Sequence, residues 1–144
     1  MIYVASSWRN PLQQGVLLAL RAAGFEVYDF RNPAPNEHGF SWRETDPDGN
    51  WMDWTPEEFR TALGHPVSEK GFKFDMDALM ACDQCVLVLP CGRSAHLELG
   101  YAVGAGKETF VLMLEQSEPE LMYKMVDHIC LNMHELLGAL GVKD

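Results

Sequence analysis

Basic residues are scarce in this chain: 11 Lys and Arg stand against 21 Asp and Glu, giving a formal net charge of -10 at pH 7. Nucleic-acid polymers are bound by neutralising phosphates with a basic face, so a nucleic-acid partner is not expected. A small anionic ligand stays compatible, because a site is set by its own donors and not by net charge. Long apolar runs are missing as well. None approaches the roughly 20 residues that span a bilayer, and no basic leader precedes the strand-like Met1-Ile2-Tyr3-Val4-Ala5. No membrane segment is expected, and the expectation is a soluble, cytoplasmic protein. Internal repeats and low-complexity tracts are absent.

Cysteine is sparse too, with four residues. Cys82-Asp83-Gln84-Cys85 has the spacing of a metal or redox pair, but no second pair accompanies it. Redox pairs of this spacing normally open a helix, whereas Cys82 closes a helical stretch and Cys85 opens an apolar one. A zinc site drawing on Cys91 and His96 and a set of small buried cysteines are the two readings, and Cys130 reads as core. No metal and no organic cofactor is expected.

What the chain does have is alternation of strand and helix patterns. At 144 residues it is read as a single domain spanning 1–144. Strands are expected at 2–5, 25–30, 86–89, 108–114 and 127–131. Helices are expected from Pro11 to about Gly24, at 56–63 capped by Thr55, at 68–82, after Pro90, at 118–125 after Ser117, and at 133–140. That alternation predicts an α/β three-layer sandwich with a five-stranded parallel sheet in the flavodoxin-like order 2-1-3-4-5. Between about 31 and 55 the pattern lapses into Pro, Gly, Asn and Asp with Phe40, Trp42, Trp51 and Trp54. Such an insert is either a lid whose aromatic faces cover a ligand or a surface excursion whose tryptophans pack against protein.

The richest segment runs Cys85-Val-Leu-Val-Leu-Pro-Cys-Gly-Arg-Ser-Ala-His-Leu-Glu-Leu-Gly-Tyr101. An apolar run suited to a doubly buried strand breaks at Pro90 and enters a helix carrying one acid, Glu98. Ligands of parallel sheets bind beyond the carboxyl ends of the strands, where this acid falls. Favourable placement near a helix start, with Ser94 as a cap, is the alternative account of Glu98. In the order 2-1-3-4-5 a crevice opens between the carboxyl ends of the first and third strands. Candidate ligand contacts there are Ser7, Trp8 and Arg9 from one turn and Gly92, Arg93, Ser94 and His96 from the other, with the aromatic faces of Trp42, Trp51 and Trp54 from the insert. His96 has a second reading, bonding a loop carbonyl. Asp75 lies about 11 Å of helix before Cys82, which would bring its carboxylate to the same side of the sheet.

At these residues the chain resembles the nucleoside 2-deoxyribosyltransferase family and its relatives that hydrolyse nucleoside 5′-monophosphates. Ile2-Tyr3-Val4-Ala5-Ser6-Ser7-Trp8 is similar to the family's first strand, Tyr-Phe-Gly-Ala-Gly-Trp, and Arg9 falls where the hydrolases carry an Arg. Leu97-Glu98-Leu99-Gly100-Tyr101-Ala102 matches the motif around the family's catalytic glutamate, and Asp75 matches its Asp on the preceding helix. The likeness spans about Met1 to Leu114, with the Trp-rich insert unmatched. It implies Glu98 as nucleophile on the anomeric carbon, Asp75 as proton handler for the leaving base and Tyr3 as the residue holding the glutamate. It also implies a small-molecule nucleoside or nucleotide as substrate and a homo-oligomer. The relatives' Gly-x-Gly before the glutamate is replaced by Ser94 and His96. Cleavage of NAD at its nicotinamide bond, and a non-catalytic nucleotide or ADP-ribose sensor, are the alternative functions.

Overall fold

The computed structural model describes residues 1–144. Its strands are β1 (Ile2–Ala5), β2 (Val27–Tyr28), β3 (Gln84–Val88), β4 (Glu108–Leu112) and β5 (His128–Cys130). Its helices are α1 (Gln13–Ala22), α2 (Pro56–Leu63), α3 (Pro66–Ala81), α4 (Arg93–Gly104) and α5 (Met133–Ala139). The chain divides into two compact units, one of residues 1–29 with 81–144 and the other of residues 30–80.

The first unit holds all five strands in one parallel sheet of order β2-β1-β3-β4-β5. Ile2, Val4, Val86, Val88, Phe110, Leu112 and Cys130 pack with Val16, Leu17 and Leu20 of α1 and Leu136 of α5. Because side chains alternate along a strand, Tyr3, Ala5, Cys85, Leu87 and Val111 project from the other face. There α4 packs on β3, β4 and β1, burying Ala95, Leu99 and Ala102. The result is a three-layer α/β sandwich of the flavodoxin-like order, as the alternation predicts. The central strands are buried along nearly their whole length, which is why they read as unbroken apolar runs.

Boundaries depart from the sequence pattern where other bonds intervene. The expected second strand, 25–30, shrinks to Val27–Tyr28. Phe25 is taken by the end of α1, its N–H donating to Leu20 O at 3.1 Å while Gly24 turns the chain with φ of 93°. The expected helix at 118–125 is only a 3-10 turn, Leu121–Met125, with Tyr123 as its buried residue. Pro119 removes a donor, and Leu121 and Met122 face outward, so no apolar stripe is buried to hold a longer helix. The helix expected from Pro11 begins at Gln13, because the Asn10 Oδ1 accepts the Leu12 N–H at 2.8 Å and sustains a turn through Pro11.

The second unit contains α2, α3 up to Met80, and two 3-10 turns, Trp42–Glu44 and Trp51–Asp53. Thr55 Oγ1 accepts the Glu58 N–H at 3.2 Å and Pro56 occupies the first position of α2, the start that sequence predicts. Ser68 Oγ donates to Ala62 O at 2.7 Å, joining α3 to α2. Trp42 is the centre of an aromatic group, edge-on to Phe40 at 4.7 Å, Trp54 at 5.7 Å and Phe59 at 5.9 Å. Phe40 also lies against Gly71 of α3, where an added Cβ would stand 2.8 Å from the Phe40 Cβ.

Candidate active site

At the carboxyl end of the sheet, β1 and its neighbour β3 are tied together by the side chains of Asn10 and Ser6. Asn10, 2 % exposed, donates through Nδ2 to Ser6 Oγ at 3.0 Å and to Val88 O at 3.2 Å. Ser6 Oγ donates to the same Val88 carbonyl at 2.9 Å. Val88 ends β3, and its carbonyl is satisfied by these side chains. The loop after β1 is thereby fixed against the end of β3. Between its anchors lie Ser7, half-buried, with Trp8 and Arg9 exposed. Ser7 Oγ accepts the Arg9 N–H at 3.3 Å. Sequence reasoning passed over Asn10; its position before Pro11 and a helix was the available signal, that of an Asx turn.

On the facing loop, β3 passes through a cis Leu89-Pro90 bond and Cys91 to Gly92, the residue before α4. Ser94 is not the cap expected for this helix. Arg93 already begins α4, Ser94 lies within its first turn, and no side chain caps the turn. Arg93 and Ser94 are exposed. His96 folds back on the loop, with Nδ1 2.7 Å from Gly92 O, and its Nε2 is 2.8 Å from the Tyr123 hydroxyl. The loop-carbonyl bond is thus present, and in this arrangement both ring nitrogens are engaged inside the protein.

Glu98 is half-buried on α4, the helix that covers the Tyr3 face of the sheet. Its charge reaches two thiols. Cys91 is pushed up to about 12, first by burial and then by the Glu98 carboxylate. Burial raises Cys85 most, with contributions from Cys82 and Glu98. Cys82 is also raised, chiefly by burial. The Cys82/Cys85 pair therefore carries neutral buried thiols, the reverse of the lowered pKa that makes a redox pair reactive. No three His, Cys, Asp or Glu side chains gather as a cation site requires. Tyr3 is fully buried at the register position of Cys85 and stacks on Tyr28 with ring centroids 5.1 Å apart.

A buried polar pair lies at the carboxyl end of β2: Gln13 Nε2 donates to Asp29 Oδ1 at 3.4 Å, with both residues 3 % exposed or less. Nothing local in the sequence marks it, since Asp29 merely continues an alternating pattern. An open pocket of about 560 Å³ lies at the other end of the sheet, lined by Lys107, Glu108, Asp127 and His128 among others. Its charges serve the fold. Glu108 accepts from Gln84 at 2.9 Å and meets His128 at 3.2 Å, Asp127 accepts the Thr109 N–H at 2.8 Å, and Lys107 donates to Cys82 O at 2.6 Å.

The first unit brings Tyr3, Ser7, Trp8, Arg9, Gly92, Arg93, Ser94, His96 and Glu98 onto β1, α4 and the two loops between them. The remaining candidates belong to the second unit. Asp75 is half-buried on α3, and its neighbour Asp77 is paired with Lys73 at 2.6 Å. Trp42 and Trp54 pack on each other, and Trp54 Nε1 donates to Asp46 Oδ2 at 3.2 Å. Trp51 lines a shallow pocket of about 410 Å³ with Arg43, Pro47, Asn50 and Met52.

The sheet order defines a doubly wound α/β fold with its switch point between β1 and β3. Two solved structures share this fold over nearly their full lengths. A 2-deoxyribosyltransferase from Bacillus psychrosaccharolyticus is similar with a TM-score of 0.58 and 19 % identity, over 99 % of this chain and 96 % of that one. The CMP N-glycosidase of Clostridium botulinum is similar with a TM-score of 0.54 and 18 % identity, over 98 % of both chains. At these identities the likeness is one of fold. No protein-family model and no curated protein sequence matches the chain.

Proposed function

We propose that this protein cleaves or transfers the N-glycosidic bond of a nucleoside or nucleoside 5′-monophosphate, with Glu98 as the nucleophile. The observation that carries the reading is the position of Glu98: a half-buried carboxylate on the helix that follows β3, on the sheet face from which Tyr3 projects. Fold neighbours acting at the same kind of bond, a 2-deoxyribosyltransferase and a CMP N-glycosidase, add support. The matching residues around Tyr3, Asp75 and Glu98 supply the rest.

The chemistry suits these residue types. Departure of a nucleobase builds positive charge on the sugar and negative charge on the base. An ionised carboxylate on one side stabilises the sugar and can bond to it, while a proton donor on the other neutralises the base. Glu98 takes the first role and Asp75 the second, with Tyr3 holding the glutamate. Water resolving the glycosyl-enzyme gives a hydrolase; a second base gives a transferase. Arg9, exposed on the loop after β1, and Arg93, exposed at the start of α4, are the cations offered to a 5′-phosphate.

The test is incubation with ribo- and 2′-deoxyribonucleosides, their 5′-monophosphates and NAD, with chromatography for the released base. Free base from nucleosides or monophosphates is the expected result. Release of nicotinamide alone, or binding with no release from any compound, contradicts it.

A further inference from the structure

Tyr123 is the one buried residue of its 3-10 turn, at 9 % exposure, while Leu121, Met122 and Met125 around it are half exposed or more. Its ring lies nearly parallel to the His96 imidazole, with centroids 5.8 Å apart and planes 13° apart. The direction of the bonds follows from donor chemistry. Gly92 O can only accept, so His96 Nδ1 carries the proton and donates across 2.7 Å. In a neutral imidazole Nε2 then accepts, and the Tyr123 hydroxyl donates across 2.8 Å. Burial raises the Tyr123 hydroxyl above its ordinary range, so it remains a donor at neutral pH.

The Gly92 carbonyl also receives the His96 backbone N–H, but at 3.4 Å. That is a long first bond for a helix, and the imidazole is the closer of the two donors. Without a capping side chain, the entry to α4 is therefore held by His96, and His96 is held by Tyr123. Glu98 lies further along the helix, beyond the turn that this pair closes. A change confined to the pair loosens the entry turn first and leaves the helical segment carrying Glu98 in place.

We propose that Tyr123 is a positioning residue: by holding the His96 imidazole in its Nδ1–H form it fixes the Gly92 carbonyl and the turn from Cys91 to Ser94, and so controls how tightly ligand is held rather than the bond-breaking step at Glu98. The inference rests on the function proposed above.

Tyr123→Phe keeps the ring stack and removes only the hydroxyl, while His96→Asn keeps a side-chain N–H near the Nδ1 position and removes Nε2. Base release is measured for both variants and the double variant on the nucleosides and 5′-monophosphates of the panel. One hydrogen bond of ordinary net value corresponds to a KM about three to ten times higher in Tyr123→Phe, with kcat changed by less than about twofold. Adding Tyr123→Phe to His96→Asn should change nothing further, because its partner atom is already gone. Nitrogen NMR of the wild-type protein should find His96 protonated at Nδ1, and Tyr123→Phe should shift that equilibrium and speed exchange of the His96 amide. A fall in kcat at unchanged KM, multiplicative losses in the double variant, or an Nε2–H imidazole in the wild type would overturn the proposal. If the wild type releases no base from any nucleoside or monophosphate, the proposed function fails. The tautomer and the amide exchange then decide the positioning role alone.

Discussion

A carboxylate serving as nucleophile must be ionised, and a carboxylate or carboxylic acid serving the leaving base must exchange a proton; the two roles are separable by the substrates they favour. If Asp75 delivers the proton, Asp75→Asn should lose most activity on substrates whose base leaves poorly, by about 10²–10³, and much less on those with good leaving bases. Rates across a series of bases of graded acidity measure this, and an equal loss on every base would assign Asp75 a positioning role. Arg93 is argued differently. It is exposed at the first turn of α4, and a charge-assisted bond to a phosphate contributes roughly 1.5–3 kcal/mol. Arg93→Ala should therefore raise KM for 5′-monophosphates by about one to two orders of magnitude and leave nucleosides nearly unchanged. Equal effects on both classes would mean that the phosphate is not held through Arg93.

Among the elements, the loop after β1 depends on one residue. Asn10 makes bonds to Ser6, Val88 and Leu12 from a site with 2 % exposure. Asn10→Ala should destabilise the protein by about 2 kcal/mol, because partners in a buried site lose their bonds together. Denaturant unfolding measures it, and a loss below about 0.5 kcal/mol would show that water replaces the side chain freely. Within the second unit, Trp42 touches Phe40, Trp54 and Phe59. Trp42→Ala should cost about 3 kcal/mol, the low end for removing a large aromatic, since this ring is only half-buried. A variant that keeps its stability but loses ligand affinity would return Trp42 to the role of a base cover.

These elements also mark how far the sequence could be read. The central strands, the order of the sheet and the position of Glu98 were legible because each leaves a local trace: an apolar run, an alternation, an acid after a strand. The start of α2 was legible for the same reason, through Thr55 and Pro56. The bond of Asn10 to Val88 and that of Tyr123 to His96 were not, because those partners lie 78 and 27 residues away; only the turn that Asn10 makes with Leu12 leaves a local trace. The segment 118–125 carries a helical pattern without the burial that a short helix needs, so only a 3-10 turn forms there. The Trp-rich stretch stands out as an aromatic insert, while its packing around Trp42 depends on Phe59 and on the close approach of Phe40 to Gly71, neither of which its own pattern announces.

For the molecule as a whole, the sheet order sets its switch point between β1 and β3, and α4, the helix that follows β3, carries the Glu98 carboxylate. An excess of acids over bases sets no obstacle to a small anionic ligand, provided that Arg9 and Arg93 act locally. In the proposed function the Glu98 carboxylate attacks or stabilises the sugar carbon. The most direct measurement is base release by Glu98→Gln, which keeps the side chain's shape and removes its charge, alongside ligand binding and thermal unfolding of the same variant. Turnover should fall by at least about 10³-fold, with unfolding and binding close to wild type. Turnover within about tenfold of wild type in a folded Glu98→Gln protein would contradict it, since no missing nucleophile is so lightly felt.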